Sequence, residues 1–207
     1  MTAVVVIAKE CLPGRVKTRL QPEFTAVEAA AIATAALTDT LRVAGALPAS
    51  RRILYFDGAV PPAAAAGWEV LPQRSGGLDA RIAALFDMLH EPVLLLGMDT
   101  PHVDPDTLTA VFADDPDVDA WFGPATDGGF WALALRRPDG ALVRGVPMST
   151  EATGFHQLER LRSAGLRVRL LPPLTDIDTA ADVPAAALRS PALARTLDQL
   201  RPAGVPA

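Results

Sequence analysis

At 207 residues, 50% hydrophobic and 21% charged, the sequence fits a soluble globular chain with one domain and a sizeable core, or at most two small ones. A net charge of −5 with no basic block argues against nucleic acid as a main partner, because phosphate neutralisation needs clustered Lys and Arg. The one cysteine, Cys11, excludes an internal disulfide and a thiolate metal cluster and is expected to be an idle thiol.

The sequence opens on an apolar run at 3–8, without a basic leader and far too short for a membrane span, so a cytoplasmic protein is expected. Its β-branched residues predict a central strand. Residues 9–20 read as a loop through Pro13-Gly14, with four cations: Lys9, Arg15, Lys17 and Arg19. Such a loop suits a pyrophosphate group. The charges neutralise it, and Gly14 lets the backbone come close. A solvated basic loop has the same pattern. It is not a Walker A loop, since Val16 stands where that motif has Gly before its Lys.

Thr25-Ala26-Val27-Glu28 fits a capping box, and an Ala-rich helix follows to about residue 44, ended by Gly45 and Pro48. Strands are predicted at 53–56 and 68–71, with an uninformative stretch at 59–66 between them. After a turn at 73–77, residues 78–89 have helical periodicity through Leu78, Ile82, Leu85 and Leu89. Arg81 falls in the first turn of that helix, against the helix dipole, which hints at an anionic partner.

Val93-Leu94-Leu95-Leu96 reads as a strand buried on both faces. It stops at Gly97, and Asp99 follows in the turn. Asp104 and Pro105 then start a helix over about 105–113. In open α/β sheets, ligands bind beyond the carboxyl ends of the strands. A carboxylate there is placed to hold a metal ion on a phosphate; Asp99 can equally cap the turn. A strand at 118–124 leads into Asp127-Gly128-Gly129 and a further strand at 130–135. Gly at a strand mouth marks close approach of a ligand or another backbone, although a plain tight turn looks alike. Trp121, Trp131 and Phe130 are expected in the core, with pocket lining as the alternative for Phe130 or Trp131.

Ser149 or Thr150 is expected to cap a helix over 151–164, and the alternating run 166–171 predicts a half-exposed strand. Thr179 with Asp182 makes a capping pattern ahead of the last helices. Asp176 and Asp178 remain, two acids on one face of an extended segment. They either complete a cation site begun by Asp99 or form an acidic turn. His90, His102 and His156 have no zinc spacing; His102 is expected at the surface, with a ligand contact beside Asp99 as the alternative. No Ser-His-Asp set or Cys-His pair can be argued.

Six motifs occur in order: Lys9…Pro13-Gly14-Arg15-Val16-Lys17-Thr18-Arg19-Leu20, Gln73…Gly77-Leu78-Asp79-Ala80-Arg81, Gly97-Met98-Asp99-Thr100-Pro101, Gly123-Pro124-Ala125-Thr126-Asp127-Gly128-Gly129-Phe130, Ser149-Thr150 and Asp176-Ile177-Asp178-Thr179. Together they resemble a bacterial family of transferase-like proteins with the nucleotide-diphospho-sugar transferase (GT-A) fold, also known as rSAM/selenodomain-associated transferase-like and labelled a domain of unknown function. The resemblance covers residues 4 to about 188. Cys11 stands where that family usually has Pro, and Ala80 where it usually has Gly.

The resemblance implies an α/β fold: a single GT-A domain over 1–201 with a mixed, mostly parallel sheet between helices, and a tail at 202–207 expected to be disordered. It implies that Lys9, Gly14, Arg15, Lys17, Arg19 and Arg81 hold the phosphates and that Asp99 binds Mg²⁺ or Mn²⁺. Asp176 or Asp178 would supply a second ligand. Gly128 and Gly129 would face the sugar or acceptor, with Asp127 orienting an acceptor hydroxyl or acting as base. Lys17 would stabilise the departing phosphates. The function expected is a metal-dependent glycosyltransferase that joins a sugar from a nucleotide to a small-molecule acceptor. A nucleotidylyltransferase that joins a nucleoside triphosphate to a phosphorylated molecule is the runner-up, and a non-catalytic nucleotide binder is the third reading. No nucleic acid and no membrane span are expected, and the oligomeric state is left open.

Overall fold

The computed structural model describes residues 1–200; the tail expected at 202–207 lies outside the described residues. Among the described residues, seven strands form one sheet. They are β1 (Ala3–Lys9), β2 (Arg51–Asp57), β3 (Glu69–Pro72), β4 (Val93–Leu96), β5 (Ala120–Pro124), β6 (Phe130–Leu135) and β7 (Val168–Leu170). Their order is β3-β2-β1-β4-β6-β5-β7. The first four are parallel, β6 runs antiparallel to both β4 and β5, and β7 returns parallel to β5. This is the mixed, mostly parallel sheet that the resemblance implies.

The unbroken apolar runs of β1 and β4 follow from burial on two sides. Successive side chains alternate across a strand. Val4, Val6, Leu94 and Leu96 face helix α1 (Ala26–Ala46) and pack on its Leu37 and Leu41. Val5, Val93 and Leu95 face helix α2 (Leu78–Met88) and pack on Ile82, Leu85 and Phe86. With no solvent face, β4 has no position for a polar residue, and β1 has one only at its exposed end, Lys9.

The capping box forms: the Glu28 N–H donates to Thr25 Oγ1 at 3.3 Å, and the Thr25 N–H to Glu28 Oε2 at 2.7 Å. The end of α1 differs from expectation. It runs through Gly45 to Ala46 and stops at Leu47, which is extended. Pro48 sets that end, because a proline disfavours helical backbone in the residue before it. Helix α3 (Pro105–Thr109) starts as expected, with Asp104 Oδ1 accepting from the Asp106 N–H at 3.1 Å, but a 3₁₀ turn at Ala110–Phe112 completes it. Helix α4 (Thr153–Ser163) starts later than expected and has no side-chain cap. The Gly128 carbonyl accepts from the Gly154 N–H at 2.7 Å, so a distant turn satisfies one of the helix's open donors. Strand β7 is also shorter than predicted, only three residues on the sheet edge. Asp182 does take a structural role, although it caps the chain before it. Its Oδ2 accepts from the Thr179 N–H and hydroxyl at 2.6 and 2.8 Å, ahead of α5 (Val183–Ala187).

One buried acid ties the last helix, α6 (Pro191–Leu200), to α1. Asp39, 2% exposed, accepts from the Ser190 hydroxyl and from the Ala192 N–H at 2.7 Å. It caps α6 from another helix. Asp39→Ala leaves both donors buried and unpaired, at a cost of about 2–4 kcal/mol. Urea unfolding should show a lower midpoint with an unchanged slope. An unmoved midpoint would mean that solvent or another group replaces the carboxylate.

Candidate functional site

The carboxyl ends of β1, β2 and β4 open on one edge of the sheet, with the start of β6 beside them. A cavity of about 440 Å³ lies there. Its lining follows the strand order. On the β1–β2 side stand Lys9, Asp57 and Arg81. In the middle, beyond β4, stand Gly97 and Asp99. On the β6 side stand Asp127, Gly129, Phe130 and the segment Met148-Ser149-Thr150, and Asp176 joins from the chain after β7.

Backbone contacts fix the central turn. The Gly97 N–H donates to the Trp131 carbonyl at 3.1 Å, and a Cβ at Gly97 would come 3.2 Å from Asp99 Oδ1. The Asp99 carbonyl accepts from the Ile177 N–H at 3.2 Å, which brings the Asp176 segment against the Asp99 turn. Asp127 Oδ1 accepts from the Gly129 N–H at 2.8 Å, a side-chain turn that fixes this carboxylate at the strand mouth.

Four carboxylates therefore line one cavity, Asp57, Asp99, Asp127 and Asp176. Asp176 registers the crowding. Burial, then the charges of Asp99 and Asp127, push its carboxyl from the ordinary 3.8 up to about 6. Carboxylates crowded in this way are relieved by a hard cation, and carboxylate oxygens are the donors that Mg²⁺ and Mn²⁺ prefer. The donor set fits such an ion. The ligands are not pre-assembled, however: among the described residues no three acidic, His or Cys side chains already form a metal cluster.

The shift also sets a stability prediction. Between pH 4 and 6 folded Asp176 keeps a proton that the unfolded chain releases. Its contribution is therefore most favourable below about pH 4 and is lost as pH rises through about 6. Asp176→Asn should raise the melting temperature at pH 8, and the gain should vanish at pH 4. An equal difference from wild type at both values would contradict the crowding.

The expected site residues are placed unevenly. Lys9, Arg81, Asp99, Asp127, Gly129 and Asp176 line the cavity; Gly14, Arg15, Arg19, Gly128 and Asp178 do not. Lys17 meets the cavity through Asp99: its Nζ lies 2.7 Å from Asp99 Oδ2. Arg19 pairs with Asp178 at 2.5 Å, outside the cavity lining. Arg81 donates to Asp57 Oδ2, Gln73 Oε1 and the Gly76 carbonyl at 2.9, 3.1 and 2.9 Å. Gly14 and Arg15 are exposed. Gly128 has φ +91°, and a Cβ there would meet the Glu151 carbonyl oxygen at 1.9 Å, so this glycine permits close approach of backbone. Phe130 and Trp131, expected chiefly in the core, both reach the cavity wall. His102 is only partly exposed, unlike the surface residue expected, and burial lowers its pKa. Cys11 is half-buried, and burial raises its thiol pKa.

Sequence reasoning missed Asp57 and Ser149 as lining residues. Asp57 ends a parallel strand, so the rule that singled out Asp99 applies to it as well. Ser149 has no such signal. Its backbone is left-handed, φ 60°; it and Lys17 are the two non-glycine residues so strained among the described residues, and both stand at this site.

Residues 29–150 match the bacterial family described as uncharacterized protein conserved in bacteria, DUF2064. The chain belongs to this family. The DUF2064 match takes in Asp57, Arg81, Asp99, Asp127 and Ser149, and leaves the basic loop and Asp176 outside. In fold, this DUF2064 protein is similar to a Desulfovibrio desulfuricans protein provisionally described as a nucleotide-diphospho-sugar transferase. The two share 24% identity over 96% of each chain, with a TM-score of 0.81. It is similar to a CMP:2-keto-3-deoxy-manno-octonic acid synthetase complexed with CTP, at 15% identity over 90% of this chain and 97% of that one, TM-score 0.59. It is also similar to the manganese complex of Rv0371c from Mycobacterium tuberculosis, at 20% identity over 89% and 96%, TM-score 0.53. At these identities the likeness is one of fold. No curated protein matches the sequence.

Proposed function

We propose that this protein is a metal-dependent glycosyltransferase that takes a sugar from a nucleotide and passes it to a small hydroxyl-bearing acceptor. The observation that carries this reading is the order of the cavity lining: Lys9 and Arg81, with Asp57, at the β1–β2 side, Asp99 in the middle, and Asp127 with hydroxyl and apolar groups on the β6 side, where Asp176 joins. Lys9, with Lys17 and the loop through Gly14, Arg15 and Arg19, takes the diphosphate, and Arg81 borders it. Asp99 and Asp176 are the ligands proposed for Mg²⁺ or Mn²⁺, with Asp178 available if Arg19 turns to the phosphates. A divalent ion held there stabilises the charge that develops on the leaving diphosphate. Asp127 orients the acceptor hydroxyl or removes its proton. Gly129 leaves room for the acceptor beside Asp127, and Gly128 keeps that turn against Glu151. Among the described residues no helix is long and apolar enough to cross a membrane, and the reading places the reaction on soluble substrates in the cytoplasm.

Nucleotidyl transfer is the second reading, supported by the likeness in fold to a synthetase complexed with CTP and by the Lys17-Thr18-Arg19 cluster. A phosphorylated acceptor calls for positive charge on its side of the site. The β6 side is lined instead by Asp127, Phe130, Ser149 and Thr150, which favours an uncharged acceptor. Incubation with nucleoside triphosphates and with sugar nucleotides separates the readings. Slow release of nucleoside diphosphate from a sugar nucleotide is the expected result. Pyrophosphate release from a triphosphate would favour nucleotidyl transfer. Nucleotide affinity with neither product would make the protein a binder.

A further inference from the structure

We propose that Lys17 is an internal counter-cation for Asp99, so that the cavity takes up a divalent ion together with linked phosphates and resists the ion alone. The inference rests on the metal–diphosphate reading above and adds the order in which the groups can meet. The Lys17 ammonium lies 2.7 Å from Asp99 Oδ2, joining positions 82 residues apart. Its side chain is 10% exposed, and that of Asp99 28%. Lys17 reaches the carboxylate from left-handed backbone, φ 47°, which L side chains rarely adopt. The same loop repeats the arrangement two residues on, where Arg19 holds Asp178. Two cations of one loop thus hold two acids, of which Asp99 lines the cavity.

The pairing decides what a lone ion meets. A carboxylate oxygen that accepts from an ammonium at hydrogen-bond distance does not offer the same lone pair to a small cation. An ion that displaced Lys17 would also leave a largely buried ammonium beside a second positive charge, without a partner. Linked phosphates remove both obstacles. They bring the negative charge that Lys17 needs, and Asp99 is released to the ion. Each cation leaves one anion and meets another. Ion and phosphates therefore strengthen each other's binding, and by linkage they do so equally. Affinity for the lone ion is lowered by the fraction of time that Lys17 leaves Asp99 free.

The test uses the full chain, Mn²⁺ alone, and Mn²⁺ with inorganic pyrophosphate as a probe that needs no base. Mn²⁺ retained with the protein is measured by equilibrium dialysis, because pyrophosphate in solution also complexes Mn²⁺. The wild type should bind Mn²⁺ weakly alone and more tightly with pyrophosphate. Lys17→Met should bind Mn²⁺ alone about tenfold more tightly, and pyrophosphate should add correspondingly less. Lys17→Arg keeps the cation and should stay near wild type with Mn²⁺ alone. Lys17→Gln gives the same reading as Met should that variant fold poorly. If the variants without the cation take up Mn²⁺ no more tightly than wild type, while wild type still binds Mn²⁺ with pyrophosphate, the counter-cation role is overturned and the proposed function stands. A wild type that binds neither combination overturns both.

Discussion

Asp99→Ala is expected to remove Mn²⁺-dependent nucleotide binding while the fold survives. Asp99 stands beyond the carboxyl end of β4, the middle strand of the sheet, and its side chain makes one ion pair, to Lys17. It supports no strand or helix. Its backbone holds the turn, through the carbonyl that accepts from the Ile177 N–H, and that bond survives the substitution. The stability cost should be about 1–3 kcal/mol, because the largely buried Lys17 ammonium loses its partner. It is partly offset because Asp176 loses a like charge beside it. The functional loss is larger. One well-placed charge at the leaving group is worth on the order of 3 kcal/mol, or about a hundredfold in rate. Calorimetric titration of a nucleoside diphosphate with and without Mn²⁺ separates the two effects. Equal affinities for wild type and Asp99→Ala in the presence of Mn²⁺ would remove Asp99 from the site.

Gly128→Ala should be the most destabilising single methyl group at the site. The backbone there has φ +91°, and the added Cβ would lie 1.9 Å from the Glu151 carbonyl oxygen. That atom belongs to the backbone just ahead of α4 and cannot rotate away. The turn must separate from α4 and weaken the bond from the Gly154 N–H to the Gly128 carbonyl. A cost of about 3 kcal/mol or more is expected. Asp127, next in the chain, moves with the turn, so activity should fall too. Gly14→Ala is the comparison. Its φ is +75°, but nothing lies within 4 Å of the added atom, so only the local backbone penalty of about 1–2 kcal/mol applies. Chemical denaturation of both variants should give a clear difference in midpoint; a Gly128→Ala loss no larger than that of Gly14→Ala would contradict the packing argument.

The parts of the fold legible in the sequence are those decided by local chemistry. The Thr25–Glu28 box, the Asp104-Pro105 start and the two-faced burial of Val93–Leu96 each depend on residues a few positions apart, and all three form. The start of α4 was not legible, because its open donor is met by Gly128, a residue far away in the chain. The site divides in the same way. The acids were visible one by one, at strand ends and in a polar segment. Asp176 and not Asp178 joins Asp99 in the cavity, while Asp178 pairs with Arg19 across 159 residues, and neither placement is written in the local sequence. The sequence leaves the cations of the first loop open to a phosphate or to solvent. In the fold two of them already have acidic partners, a long-range fact that no local pattern carries.

The most direct measurement is a crystal of the protein grown with manganese and soaked in turn with uridine and guanosine diphosphate. Anomalous density for manganese within coordination distance of an Asp99 oxygen, with Lys17 turned from Asp99 to the phosphates, is the result expected. Manganese and diphosphate bound elsewhere on the molecule, with Lys17 still on Asp99 and the cavity beyond β4 empty, would contradict the account.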